Sequence, residues 1–400
     1  MLVGEPVATM QSAAFSILAP AGCVYDPPAR AGLAGFTCEM LLRGAGQRDS
    51  REFILALDNL GLEHDEAVTN GHAGFGGAAV AENLFPALRI FADVLRRPHL
   101  PAEQLDAARL VMLQELRAVE DEPAQRAMIE LRRRHYPDPW GRPAQGEAAA
   151  LEAVSLADVQ QFFANHFHPN GTILGVAGRF DWPPLVELVG ELLGDWRPGP
   201  APTLNETAPA ERRAHLPCET NQTQIGVAWS SVPYRHPDYF PAWGAVNALS
   251  GGMSARLFTE VRERRGLCYS VSATHHTLRD RAGVFCYAGA SAERAQETLD
   301  VLLAELVRLG QGIEPQELDR SKARAKSALV MQGESSVARA GGIARDWYHL
   351  GRARTLDDLA RLVDELTCER VNAFLAANPP RDFTIVTLGP RPLEVPDGVC

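Results

Sequence analysis

The metal-ligating and nucleophilic side chains of this 400-residue chain are sparse and poorly grouped. His166 and His168 flank one residue at a helix end before Pro169, and His275 and His276 are adjacent between two strand-like runs. Zinc takes three or four nitrogen, sulfur or oxygen donors. Neither histidine pair has an acidic or cysteine partner at ligand spacing, so both read as solvated or loop histidines. Cys38 and Glu39 are neighbours within residues 32–44, GLAGFTCEMLLRG; on a helix their side chains point about 100° apart. Glu115 is a lone carboxylate on the shoulder of the helical stripe Leu105, Ala108, Met112, Leu116 and Val119, placed to face water or a cavity. The seven cysteines (Cys23, Cys38, Cys218, Cys268, Cys286, Cys368 and the terminal Cys400) include no C-x-x-C pair and read as reduced thiols. A nucleophile elbow and a phosphate-cradling glycine loop are also absent from the sequence.

The elements that carry these residues come in two copies. SLADVQQF at 155–162 and TILGVA at 172–177 are echoed by TCERVNAF at 367–374 and TIVTLG at 384–389, an offset of 212 residues. A second echo, at an offset of 205, pairs Arg51, Phe53, Gly61 and Leu62 with Arg256, Phe258, Gly266 and Leu267. Each copy reads as a Ser/Thr-capped amphipathic helix, a loop and a β-branched strand, after an earlier run of strands and helix pairs. Residues 196–209 hold four prolines in fourteen positions and read as an extended linker. The expected fold is therefore α+β: two homologous α/β-sandwich domains, 1–196 and 210–400, joined by 197–209. Each would be a mostly antiparallel sheet covered by helices.

Composition narrows the function. Hydrophobic residues at 46% and charged residues at 22% describe an ordinary globular protein with ample chain for two or three cores. A formal net charge of −11 argues against nucleic acid, since no basic stripe dominates; it suits cationic peptides, or plain solubility. No apolar run approaches the ~20 residues of a membrane span. The opening residues, MLVGEPVATMQ, lack the basic start and long apolar centre of a signal peptide, so a cytoplasmic location and no membrane partner are expected.

The most specific text is LSGGMSARLFTEVRERRGLCYSV at 249–271. It closely resembles the C-terminal-domain signature of the pitrilysin/insulinase-type zinc peptidases, whose bacterial members read like L-G-G-G-x-S-S-R-L-F-x-x-[IV]-R-E-x-R-G-L-x-Y-S-V. NQTQIG at 221–226, HPDY at 236–239, PWGRP at 139–143 with Gly146, and PNGTILGVAG at 169–178 fit the same family. Residues 32–44 then fall in the frame of the family's zinc helix, G-L-A-H-F-x-E-H-M-L-F-x-G. There two histidines four apart share a helical face and hold the metal, while the glutamate activates water. Here Gly35 stands in the first His slot, Cys38 in the Glu slot and Glu39 in the second His slot. By these residues the chain is identified as a member of the superfamily, nearest its two-domain processing-peptidase group, and one that lacks H-x-x-E-H.

The resemblance implies the remaining roles. The family's distal Glu ligand matches Glu115 in VMLQEL, and the acidic residue often found one helical face earlier is Ala108. One ligand of three survives, so no metal is expected in this chain. An Arg/Tyr pair from the other half of the family's chamber matches Arg262 and Tyr269. A hydroxyl and a guanidinium are fitting donors to the oxyanion formed when metal-activated water attacks a peptide carbonyl. Outside such a signature they read as surface pairing and a packed ring with a wet hydroxyl.

Some members are paired chains, one with the zinc motif and one without. The resemblance thus implies a non-zinc subunit of a heterodimeric zinc peptidase, inactive alone, that forms half of a peptide chamber. It would supply Arg262 and Tyr269 in trans to a homologous, zinc-bearing partner, and zinc is expected only there; a homodimer is the alternative assembly. The alternative function is a structural or peptide-binding homologue without proteolysis, like the core subunits of a respiratory complex. A self-sufficient peptidase with an altered metal site ranks third.

Overall fold

The structure is a computed structural model that describes residues 1–200, 202–209 and 211–395. The first half of the chain forms β1 (Leu2–Pro6), β2 (Ser12–Ala19), α1 (Leu33–Leu41), the short pair β3 (Gly44–Ala45) and β4 (Arg48–Asp49), α2 (Ser50–Asn59), β5 (Glu63–Val68) and β6 (Ala73–Val80). It continues through α3 (Leu84–Arg96), α4 (Leu105–Glu120), α5 (Pro123–His135), α6 (Ala148–Glu152), α7 (Leu156–His166), β7 (Ile173–Gly178) and α8 (Trp182–Leu193). The second half forms β8 (Arg213–Pro217), β9 (Gln222–Ser231), α9 (Tyr239–Ser250), a π-helical turn (Phe258–Glu263), β10 (Cys268–Thr277) and β11 (Ala282–Ser291). It ends with α10 (Ala295–Leu309), α11 (Pro315–Gly333), α12 (Ser336–Leu350), α13 (Leu356–Asp364), α14 (Cys368–Ala377) and β12 (Thr384–Gly389).

The duplication read from the offsets is a duplication of topology. One five-stranded sheet runs β1-β7-β2-β6-β5, and the other β8-β12-β9-β11-β10. In each, the first pair is parallel and every later pair antiparallel. The strands β7 and β12 are buried along their whole length, which is why they read as unbroken apolar runs rather than alternating ones. Ser155 and Thr367 cap α7 and α14, each side-chain oxygen accepting from the N–H three residues on. Architecture and class are those expected: α+β, two similar sandwiches.

Contacts gather the chain into two compact units. One holds Met1–Ala118, Arg142–Glu206 and Val330–Arg354; the other holds Val119–Gly141, Thr207–Leu329 and the segment from Thr355 onward. Each unit borrows one helix from the other sequence half. In the first, α12 lies on β7, β2 and β1, packing Ala340, Ile343 and Ala344 against Val3, Ala14, Ile173 and Ala177. Its Arg339, almost fully buried, donates to the Glu5 carboxylate of β1, and a second buried pair joins Arg354 to Asp346 at 3.0 Å. In the second unit, α5 lies on β12 and β9 through Leu131, with Tyr136, Phe285 and Val386 in the same cluster. There the Tyr136 hydroxyl meets His276 Nδ1 at 2.9 Å and His135 Nδ1 meets Thr384 Oγ1 at 3.2 Å.

The histidines need correction. His275 and His276 do not lie between strands; both belong to β10, and both are largely withdrawn from water. Burial pushes each down to about 4, aided at His276 by the Arg132 charge. His166 is likewise not a solvated histidine: it stacks on Tyr25 and packs on Phe162, and burial lowers it to about 4. Aromatic packing decides all three, and apart from Phe162 beneath His166 it comes from residues outside their own elements. The six described cysteines are free; Cys400 lies outside the described residues. Among the described residues no helix is long and apolar enough to cross a membrane.

Candidate functional site

The helix α1 is built from its N-terminus. The chain enters through Gly32 at φ 95°, a left-handed conformation that glycine adopts freely. The buried Asp26 carboxylate accepts the N–H groups of Gly32 at 2.7 Å and Ala34 at 2.8 Å, satisfying first-turn donors that would otherwise be orphaned. Burial pushes Asp26 up to about 7, while those amide bonds and Arg142 pull the other way. Leu33, Ala34, Phe36, Thr37, Cys38, Met40 and Leu41 are all buried, so α1 is enclosed nearly all round. Gly35 and Glu39, four apart, form its only part-open face.

That face has the placement of a two-ligand site without its donors. A Cβ on Gly35 would meet Met112 Cε of α4 at 3.0 Å and the Ala144 carbonyl at 3.4 Å, so Met112 covers the slot. The Glu39 carboxylate is taken by Arg43 Nη2 at 2.5 Å, one turn along the chain, and Arg43 Nη1 also donates to Gln104. Cys38 is fully buried; burial first, then the charges of Glu66, Asp26 and Glu39, drive its thiol far above its ordinary value and keep it protonated. Zinc binds the thiolate.

Glu115 does project from the α4 shoulder, exposed, as the stripe of buried Ala108, Met112 and Leu116 requires. Its carboxyl is raised by partial burial and by the charges of Glu39 and of Glu66 on β5. Glu66, which spacing did not single out, is raised by burial and Glu39 against the opposing pull of His64. Three carboxylates thus share one field, yet among the described residues no three His, Cys, Asp or Glu side chains are placed to hold a metal ion. The donor set does not fit zinc: neither histidine slot of α1 holds a histidine, the thiol is buried, one carboxylate is held by a guanidinium, and the other two repel, with His64 turned to Glu66.

The Arg262/Tyr269 region is built differently. Arg262 rides on the π-helical turn, a local distortion that is frequent at functional sites. Tyr269 is the extra residue of a β-bulge: Cys268 pairs with Ala290 and Ser270 with Gly289, leaving Tyr269 without an opposite number. A bulge re-aims a side chain out of the sheet's alternation. The guanidinium sits 4.7 Å from the ring centres of both Phe258 and Tyr269, and Arg262 Nη1 donates to the Tyr269 carbonyl at 2.8 Å. Tyr269 is 79% exposed, and its hydroxyl has no partner among the described residues. The wet hydroxyl on a cation-held ring is an available donor.

Two family sequence models match this chain. Residues 4–143 match Insulinase (Peptidase family M16), and residues 153–325 match Peptidase M16 inactive domain. The chain belongs to the M16 peptidase family. This M16 chain is 24% identical over 394 residues to the uncharacterized zinc protease YmxG of Bacillus subtilis, covering 97% of the chain and 96% of the relative. Among solved structures it resembles a peptidase M16 inactive domain from Pseudomonas fluorescens, with TM-score 0.87, 23% identity, and 99% and 96% of the two chains covered. A chain of Complex III2 from Candida albicans superposes with TM-score 0.81 at 17% identity, over 97% and 93% of the chains. These likenesses carry the fold. The second-half model bears the description "inactive domain"; the loss of H-x-x-E-H at Gly35, Cys38 and Glu39 lies in the first half and is a feature of this M16 chain in its own right.

Proposed function

We propose that this chain is the non-zinc subunit of a heterodimeric M16 peptidase, contributing one wall of a peptide chamber and presenting Arg262 and Tyr269 to a zinc site on a homologous partner. The observation that carries the reading is the contrast between a closed slot at Gly35 and an open hydroxyl at Tyr269. Exposing a tyrosine ring on a bulge, braced by a guanidinium, serves no packing purpose within the unit. It suits a donor awaiting an oxyanion whose metal and water come from elsewhere.

The chain alone should bind no stoichiometric zinc and cleave no peptide; elemental analysis finding one tightly held zinc per chain would sink the reading. Mixed with a zinc-bearing homologue, the wild type should give peptidase activity. Arg262→Ala with Tyr269→Phe should lower kcat/KM by about 10²–10³ while leaving the complex assembled. Full activity in that complex would reduce both residues to packing. The likeness to a Complex III2 chain supports a second reading, a structural subunit without proteolysis, for which no mixture would cleave peptide.

A further inference from the structure

A second feature of the C-terminal signature lies apart from Arg262 and Tyr269. The glycine turn after α9 and one face of α11 enclose a hollow of about 190 Å³, lined by Asn247, Gly252, Ser254, Glu317, Arg320 and Arg324 among others. Its charges do not cancel. Glu317 is neutralised by Arg256, which grips both carboxylate oxygens at 2.7 Å. Arg320 and Arg324, one turn apart, have neither hydrogen bond nor ion pair among the described residues. The N–H groups of Gly252 and Ser254 find no backbone acceptor there, and the Ser254 hydroxyl is likewise unengaged. A Cβ on Gly252 would lie 2.9 Å from Arg324 Nη1, so glycine is what lets the guanidinium lie against the turn.

We infer that this hollow binds an oxyanion, a carboxylate or phosphate group, held by the Arg320 and Arg324 guanidiniums with Ser254 and the turn amides available as further donors. Paired guanidiniums match the geometry of such oxygens and form strong, charge-assisted hydrogen bonds. The volume suits a single charged group and falls below that of a drug-sized pocket. In a chain of net charge −11, Arg256, Arg320 and Arg324 face the single carboxylate of Glu317, so the hollow stays net positive and marks a local selectivity rather than a general attraction. The site does not depend on a zinc-bearing partner.

Titration calorimetry on the full chain tests this with two probes: inorganic phosphate, and a blocked peptide carrying one glutamate, with its glutamine analogue as control. Saturable binding with Kd at or below about 1 mM is expected for at least one probe. It should weaken about tenfold or more in Arg320→Ala/Arg324→Ala, whose exposed side chains can be removed without touching a core, and also in Gly252→Ala and at high salt. Binding of phosphate alone would identify a small-anion site; preference for the glutamate peptide over its analogue would identify a peptide carboxylate. Either supports the inference. It is overturned if neither probe binds, or if binding is undiminished in a double variant whose circular dichroism matches wild type.

Discussion

The face of α1 and the junction of the π-helical turn with β10 are built in opposite ways. The first keeps its frame and has lost its donors: apolar residues enclose α1, Met112 covers Gly35 and Arg43 occupies Glu39. The second presents Arg262 and Tyr269 from an irregular frame, a π turn and a bulge, with Tyr269 turned to solvent. Frame residues carry stability, whereas chemistry-bearing residues at an open site carry almost none, so the two can be lost independently. A site without metal donors therefore need not loosen the fold around it.

That separation can be attacked directly. Phe36→Ala, which empties a fully buried position in α1, should cost about 3–5 kcal/mol in urea unfolding. A cost below about 1 kcal/mol would mean that the frame is not what holds the helix. Next, Asp26→Ala should cost about 1–3 kcal/mol by stranding the first-turn amides. The sign of its pH dependence is set by the raised pKa. The unfolded carboxyl ionises near 3.8 and the folded one only at about 7, so the wild type loses stability as pH rises through that window and the gap to the variant narrows. The buried histidines titrate in the opposite sense, His166 in the first unit as well as three in the second. His135, His275 and His276, depressed to about 4, contribute stability above 6.5 that is lost as pH falls through about 4.

Gly35→Ala should move stability by less than about 1 kcal/mol: the gain in helix propensity offsets a shift of the flexible Met112 end. A larger loss would show that the empty slot has become part of the core. The smallest effect is expected for Tyr269→Phe, within about 0.5 kcal/mol by thermal melt, because a 79% exposed ring contributes little to burial. If it destabilised as Phe36→Ala does, the contrast between the two regions would collapse.

Much of this was legible in the sequence because it is local or repeated. Capped helices at Ser155 and Thr367, the apolar runs of β7 and β12 and the stripe through Met112 all follow from spacing, and the two offsets exposed the duplication. The Arg43–Glu39 pair was missed in the sequence, although residues four apart on a helix are neighbours and that spacing is its signal. Three other features were not legible. A stripe tells which face of α5 or α12 is buried but not which sheet receives it. The lids over the slot, the Tyr25 ring stacked on His166, and the aromatic beds of His275 and His276 arise from residues outside their own elements. The bulge at Tyr269 depends on the register of β11, which no local pattern specifies.

The borrowed helices α5 and α12 have a consequence for how the chain could be divided. A polypeptide ending in the proline-rich segment would carry β1, β2 and β7 without α12, leaving Val3, Ala14 and Ile173 bare on one side, and an α5 with no sheet to cover. Severed there, the two fragments would each be an unfinished object, and only co-expression would let either reach its native state. The duplicated protein is thus a natural split pair: its halves are alike in outline, yet each completes the other by complementation.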